Sequence, residues 1–110
     1  MDEEQAKSLL IARLAELDEE DRISTEARAP VQLEQDSVGR LSRMDAMQVQ
    51  AMALASARRR KTERQRIAAA LARIEQEEWG WCLRCGEPIA PGRLAHDPAA
   101  AQCVSCAELP

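Results

Sequence analysis

Residues 80–106 read GWCLRCGEPIAPGRLAHDPAAAQCVSC, two CxxC pairs (Cys82 with Cys85, Cys103 with Cys106) separated by 17 residues. Two knuckles at this spacing can place four sulfurs tetrahedrally at about 2.3 Å from one metal ion, the arrangement of a closed, structural Zn²⁺ site. A knuckle turns tightly so that later backbone NH groups point at sulfur, and Gly86, directly after Cys85, supplies the conformational freedom such a turn needs. Iron also occupies four-thiolate sites, and an isolated CxxC can be a redox centre. The redox reading calls for a βαβ unit around the motif, and the residues show none. Zn²⁺ is therefore the expected cofactor, one ion on Cys82, Cys85, Cys103 and Cys106. With four protein thiolates no ligand position is left open for water, so no catalysis is expected there. His96, the single histidine, lies between the knuckles and is read as an exposed loop residue rather than a fifth candidate ligand.

Outward from the knuckles, four of the five prolines fall within residues 82–110. That segment is too short and too rich in turns to bury a core without a metal. Upstream, residues 43–78 contain neither Gly nor Pro. They predict one long helix that starts at a capping box, Ser42 to Asp45, and ends at Gly80, with Trp79 and Trp81 at its junction with the cysteines. Its apolar stripe runs Met44, Met47, Ala51, Leu54 and resumes at Ile67, Leu71 and Ile74. The shift between the halves suits an antiparallel pair better than a long regular coiled coil. Arg58, Arg59, Arg60, Lys61, Arg64 and Arg66 crowd its middle.

The partner is a helix predicted over residue 3 to about 22, striped by Ala6, Leu9, Leu10, Arg13, Leu14 and Leu17. Glu16, Asp18, Glu19, Glu20 and Asp21 load its last turns with negative charge, which frays a helix end unless cations stand opposite. The basic run of the second helix is the expected counterpart. Between the helices the periodicity fails, and residues 23–42 read as a connector. The expected fold is all-α dominated, an antiparallel helical hairpin over residues 1–79 followed by a small zinc finger over 80–110.

Composition agrees with helices: there is no Phe or Tyr, and alanine, the strongest helix former, is the commonest apolar residue. The net charge of −4 argues against simple coating of nucleic acid. No basic, apolar leader opens the chain and no apolar run reaches the roughly 18 residues of a membrane span, so a cytoplasmic protein without membrane contact is expected.

The motifs now in hand, with Gly86, Pro88-Ile89, Arg93-Leu94 and Pro98-Ala99 between and beside the knuckles, resemble the C4 zinc finger of the bacterial DksA/TraR family. The resemblance implies a helical hairpin on a zinc-bound base, with RNA polymerase as partner and transcription regulation as function. In the best-known members the hairpin enters the secondary channel of the polymerase, and acidic residues at its tip form a DxxDxA pattern. That pattern is not reproduced here. Asp36, Asp45 and Ala46, in QDSVGRLSRMDAMQ (35–48), stand nearest to it and are the candidate tip residues. Contact with polymerase by a monomer, without reading of DNA sequence, is the leading expectation. The alternative is a nucleic-acid-binding or general protein-interaction module, in which the basic run would contact phosphates and binding would weaken steeply with salt. No nucleophile, base and orienter stand together, so an enzyme is not expected.

Overall fold

The computed structural model describes residues 1–27 and 40–110, with side chains described outside 25–42. Two long helices, α1 (Glu3–Ala27) and α2 (Arg40–Glu75), pack against each other and are followed by two short ones, α3 (Pro91–His96) and α4 (Val104–Ala107). Among the described residues there is no strand, only an isolated antiparallel bridge between Trp81 and Pro88. The longest dimension, 61 Å, is little more than α2 itself.

α1 begins at a reciprocal capping box. The Gln5 NH donates to Asp2 Oδ1 at 2.8 Å and the Asp2 NH donates to Gln5 Oε1 at 3.0 Å, which satisfies two otherwise unpaired backbone donors. The box expected at Ser42 does not start α2, because that helix begins at Arg40 and already includes Ser42. α2 also ends earlier than Gly80. The Glu78 NH reaches the Arg73 carbonyl at 2.8 Å and the Glu77 NH the Ile74 carbonyl at 3.1 Å. This is a Schellman closure, with Glu77 in the left-handed conformation at φ 60°. The helix keeps the expected 36 residues but is displaced by three toward the N-terminus.

The seam between the helices has a seven-residue repeat. On α2 it runs Ala53, Arg60, Ile67, Ile74, with Ile67 and Ile74 buried and the other two partly so. On α1, Ala6, Leu10 and Leu17 are buried and Leu14 is packed beside them. Leu9, expected in the stripe, is instead 49% exposed. The larger correction concerns α2: Met44, Met47 and Leu54 of the expected stripe are exposed, as are Val49 and Met52, while Ala53 is partly buried where α1 ends.

Ion pairs set the antiparallel register. Arg13 forks onto Glu63 at 2.6 and 3.0 Å, Arg60 holds Asp21 at 2.6 Å, and Arg64 contacts both Asp21 and Asp18. Lys7 reaches Glu75 at 3.3 Å. With cations opposite its acidic end, α1 continues to Ala27, beyond the expected end near residue 22. In this register Ala27 lies abreast of roughly Leu54, so Arg40–Ala53 runs on past it for about 20 Å.

Candidate metal centre

The finger is built on the end of α2. Ile67, Ala70 and Ile74 join Trp79, Cys82, Ile89, Leu94, Ala99, Ala100 and Cys106 in one buried cluster that also takes in Ala6, Leu10 and Leu17. Finger and hairpin base therefore share a core, which explains how so short a segment holds its shape. Trp79 and Trp81 part company here: Trp79 is 7% exposed in that core, whereas Trp81 is half exposed.

The first knuckle is shaped by backbone. The Gly86 NH returns to the Cys82 carbonyl at 2.9 Å and the Cys82 NH donates to the Glu87 carbonyl at 2.8 Å. Gly86 has φ +77° with open space where a Cβ would stand, so glycine is required by conformation and not by crowding. The second knuckle opens α4, with Cys103 extended at its N-cap and Cys106 inside the helix. The Leu83 NH donates to the Ala101 carbonyl at 2.9 Å and ties the two knuckles together.

This backbone brings the ligand atoms of Cys82, Cys85, Cys103 and Cys106 within 4.8 Å of one another. The Cys85 and Cys103 sulfurs are 3.8 Å apart, which is the edge of a tetrahedron whose corners lie about 2.3 Å from its centre, the zinc–thiolate distance. Cys82 and Cys106 are buried, Cys103 is intermediate and Cys85 is exposed. Backbone NH groups of Cys103 and Cys85 aimed at the Cys82 sulfur pull its thiol down to about 6. The neighbouring Cys103 sulfur and burial push the Cys106 thiol up to about 12. Four thiols this close cannot all ionise against one another, and a dication is what allows them to. Donor set, spacing and charge fit zinc. Bound by these four thiolates, the ion supplies structural cross-linking of the two knuckles.

One short segment fastens the finger to α2. Trp79 Nε1 donates to the Pro98 carbonyl at 2.9 Å, Arg66 pairs with Asp97 at 2.7 Å, and Arg73 reaches the Ala99 and Ala100 carbonyls at 3.4 and 3.5 Å. Arg73 is buried, at 8% exposure, and burial lowers its pKa. Its place in the last turn of α2 offsets part of that cost, since a cation is favoured at a helix C-terminus. Asp97–Ala100 lies just before Cys103, so the metal and the hairpin base are joined by a few residues of chain. Sequence reading missed this fastening, because no motif marks a carbonyl acceptor.

The six cations expected to face α1 divide. Arg60 and Arg64 do so, Arg66 turns to Asp97, and Arg59 donates to Ser56 at 2.9 Å. Arg58, Arg59, Thr62, Arg66 and His96 line a groove of about 700 Å³ between the hairpin and α3. His96 is exposed at the end of α3 and is not among the clustered metal ligands. Asp45 is exposed in the second turn of α2 and Ala46 beside it is partly buried. Asp36 lies outside the described residues.

A two-helix hairpin whose base is closed by a four-thiolate metal finger defines the class as a helical zinc-finger protein. Residues 78–109 match the family model of the prokaryotic dksA/traR C4-type zinc finger. Over 96% of this chain and 80% of the other, the fold is similar to the solved structure of transcription factor DksA2 from Pseudomonas aeruginosa, with a TM-score of 0.74 and 28% sequence identity. No curated protein sequence matches the chain. Finger sequence and overall fold are thus both similar to those of DksA/TraR proteins, and the four cysteines are placed to hold one structural zinc ion.

Proposed function

We propose that this chain regulates transcription by contacting RNA polymerase, with its hairpin entering the secondary channel while the zinc end serves as a rigid base. The observation that carries the reading is α2. A helix of 36 residues stands on a metal-fixed base and runs on past the last turn of α1, in a fold similar to that of a transcription factor. Reach of that kind suits a narrow opening better than a flat surface.

The action is through protein contact, by a monomer, and not through reading of DNA sequence. Half of the basic run supports this: Arg60, Arg64 and Arg66 are already neutralised by Asp21, Asp18 and Asp97, which leaves no continuous row of cations for phosphates. The role is non-catalytic, exercised in the cytoplasm where polymerase works. No helix among the described residues is long and apolar enough to cross a membrane. Asp45 with Ala46, and Asp36, are the proposed tip contacts, and the exposed Asp45 carboxylate supports the first of these.

Binding of the purified, zinc-loaded chain to core RNA polymerase tests the reading, beside a variant carrying Asp36→Asn and Asp45→Asn. The intact chain is expected to bind and to change initiation in vitro, and the variant to bind with a weaker effect. Absence of binding by the intact chain would remove the function; equal effects of both proteins would remove only the tip assignment.

A further inference from the structure

The arginines of the hairpin and those of the finger find different partners. On the hairpin, Arg13, Arg60, Arg64 and Arg66 pair with carboxylates. At the root of the finger and within it, Arg73, Arg84 and Arg93 have no carboxylate partner among the described residues and donate to backbone carbonyls instead.

The acceptors lie together. Arg73, in the last turn of α2, reaches the carbonyls of Ala99 and Ala100 at 3.4 and 3.5 Å, and Arg93, in α3, reaches that of Gln102 at 2.8 Å. The Leu83 NH of the first knuckle takes the carbonyl between them, that of Ala101, at 2.9 Å. All four carbonyls of the run that leads into Cys103 are therefore held by donors from three other parts of the chain. Arg84, inside the first knuckle, reaches the Cys106 carbonyl at 3.5 Å.

This run depends on outside donors because it has few of its own. Ala99, Ala100 and Ala101 carry no side chain that can hydrogen-bond, and the N-cap of α4, Cys103, makes no side-chain cap bond. Left free, the run would have to be ordered by the metal itself, at an entropic cost for every residue fixed. The Arg93 bond falls on one peptide group in particular. The Gln102 carbonyl and the Cys103 NH belong to the same trans peptide and point in opposite directions. Arg93 holds the carbonyl, and the NH on the other side is aimed at the Cys82 sulfur. A hydrogen bond at one end of a peptide also strengthens the one at the other end. Zinc on four thiolates leaves two negative charges in excess, and the three guanidiniums around the second knuckle offset them.

We propose that Arg93 is a positioning residue for the metal: by holding the Gln102–Cys103 peptide it delivers Cys103 to the ion and keeps the second knuckle closed. Partners behind the ligands of a metal site orient those ligands and raise affinity for the ion. The proposal concerns the zinc site alone and is independent of the polymerase reading.

The test uses the full zinc-loaded chain, Arg93→Met and Arg93→Lys, with limiting iodoacetamide and peptide mapping of the first cysteine alkylated. Arg93 is only partly buried, so unchanged helix content serves as the folding control. In the intact chain the exposed Cys85 is expected to react first. In Arg93→Met the first hits are expected to move to Cys103, whose rate rises about tenfold or more, the fold-change of one charge-assisted hydrogen bond. Zinc affinity, measured by competition with a chelator, is expected to fall about tenfold to a hundredfold. Arg93→Lys keeps a charged donor and is expected to restore the order of the intact chain. Faster reaction of all four cysteines together would mean general loosening and would overturn the proposal. So would an unchanged order and affinity in Arg93→Met, or a lysine variant that behaves as the methionine variant does. An intact chain that binds no zinc would remove the site and the proposal with it.

Discussion

The two ends of the hairpin are held by different physics. At the metal end, Leu10, Leu17, Ile67, Ala70 and Ile74 are buried together with the finger, and each large side chain there contributes about 1.5–3 kcal/mol by leaving water. Toward the other end the seam passes through Arg13–Glu63 and Asp21 with Arg60 and Arg64 to Ala53, and beyond it Met44, Met47, Val49, Met52 and Leu54 are exposed. Ion pairs that keep up to about a third of their side-chain surface in water fix register more than they stabilise, and alanines bury little. The difference divides one helix: the metal end is packed into a core, and the far end leaves large apolar side chains exposed.

Removal of zinc should break the contrast most severely. Because the finger shares the core of the hairpin base, stripping the metal with a chelator is expected to unfold the finger cooperatively and expose Trp79, with a large change in tryptophan emission. A tryptophan signal indifferent to the metal would contradict a structural ion. Next in size, Leu17→Ala or Ile67→Ala should cost about 2–4 kcal/mol in denaturant unfolding. Leu54→Ala, the same kind of deletion at the exposed end, should fall within about 0.5 kcal/mol. Equal costs at the two places would erase the distinction.

Acid should act on the ionic middle. Hydrogen bonds from Arg60 and Arg64 hold the Asp21 carboxyl below its ordinary range, and Arg13 does the same for Glu63. Groups shifted this way contribute stability above the unfolded carboxylate value of about 4 and lose it as pH falls through their lowered values. Amide exchange around Asp21 and Arg60, corrected for its intrinsic pH dependence, is therefore expected to accelerate below about pH 4 before Ile67–Ile74 responds. The smallest effect belongs to the end of α2. Glu77 occupies a left-handed position that glycine normally fills, and Glu77→Gly should stabilise the chain by about 0.5–1 kcal/mol, read as a rise in melting temperature.

The finger was legible in the sequence because cysteine spacing is itself geometry. Two helices were legible too, since acid on one and cations on the other are strong signals. What misled was size: Met44, Met47 and Leu54 look like a seam at helical spacing, yet all three are exposed, and the buried face of α2 is marked by Ile67, Ala70 and Ile74 nearer the metal. Periodicity reports that a stripe exists, without saying what covers it. The early end of α2 was hidden because Glu77 adopts a conformation usually announced by glycine. The start of α1 was marked by Asp2 and Gln5, a capping box as readable as the one placed at Ser42. The fastening of Asp97–Ala100 onto Arg66, Arg73 and Trp79 depends on backbone carbonyls that have no letter in the sequence.

Segment-resolved hydrogen exchange on the zinc-loaded chain, free and with core RNA polymerase, bears most directly on this division of α2. The account predicts slow exchange at Ile67–Ile74 in both states and fast exchange over residues 44–61 that becomes strongly protected when polymerase is added. Protection already high over 44–61 in the free chain, or a gain confined to the finger on binding, would contradict it.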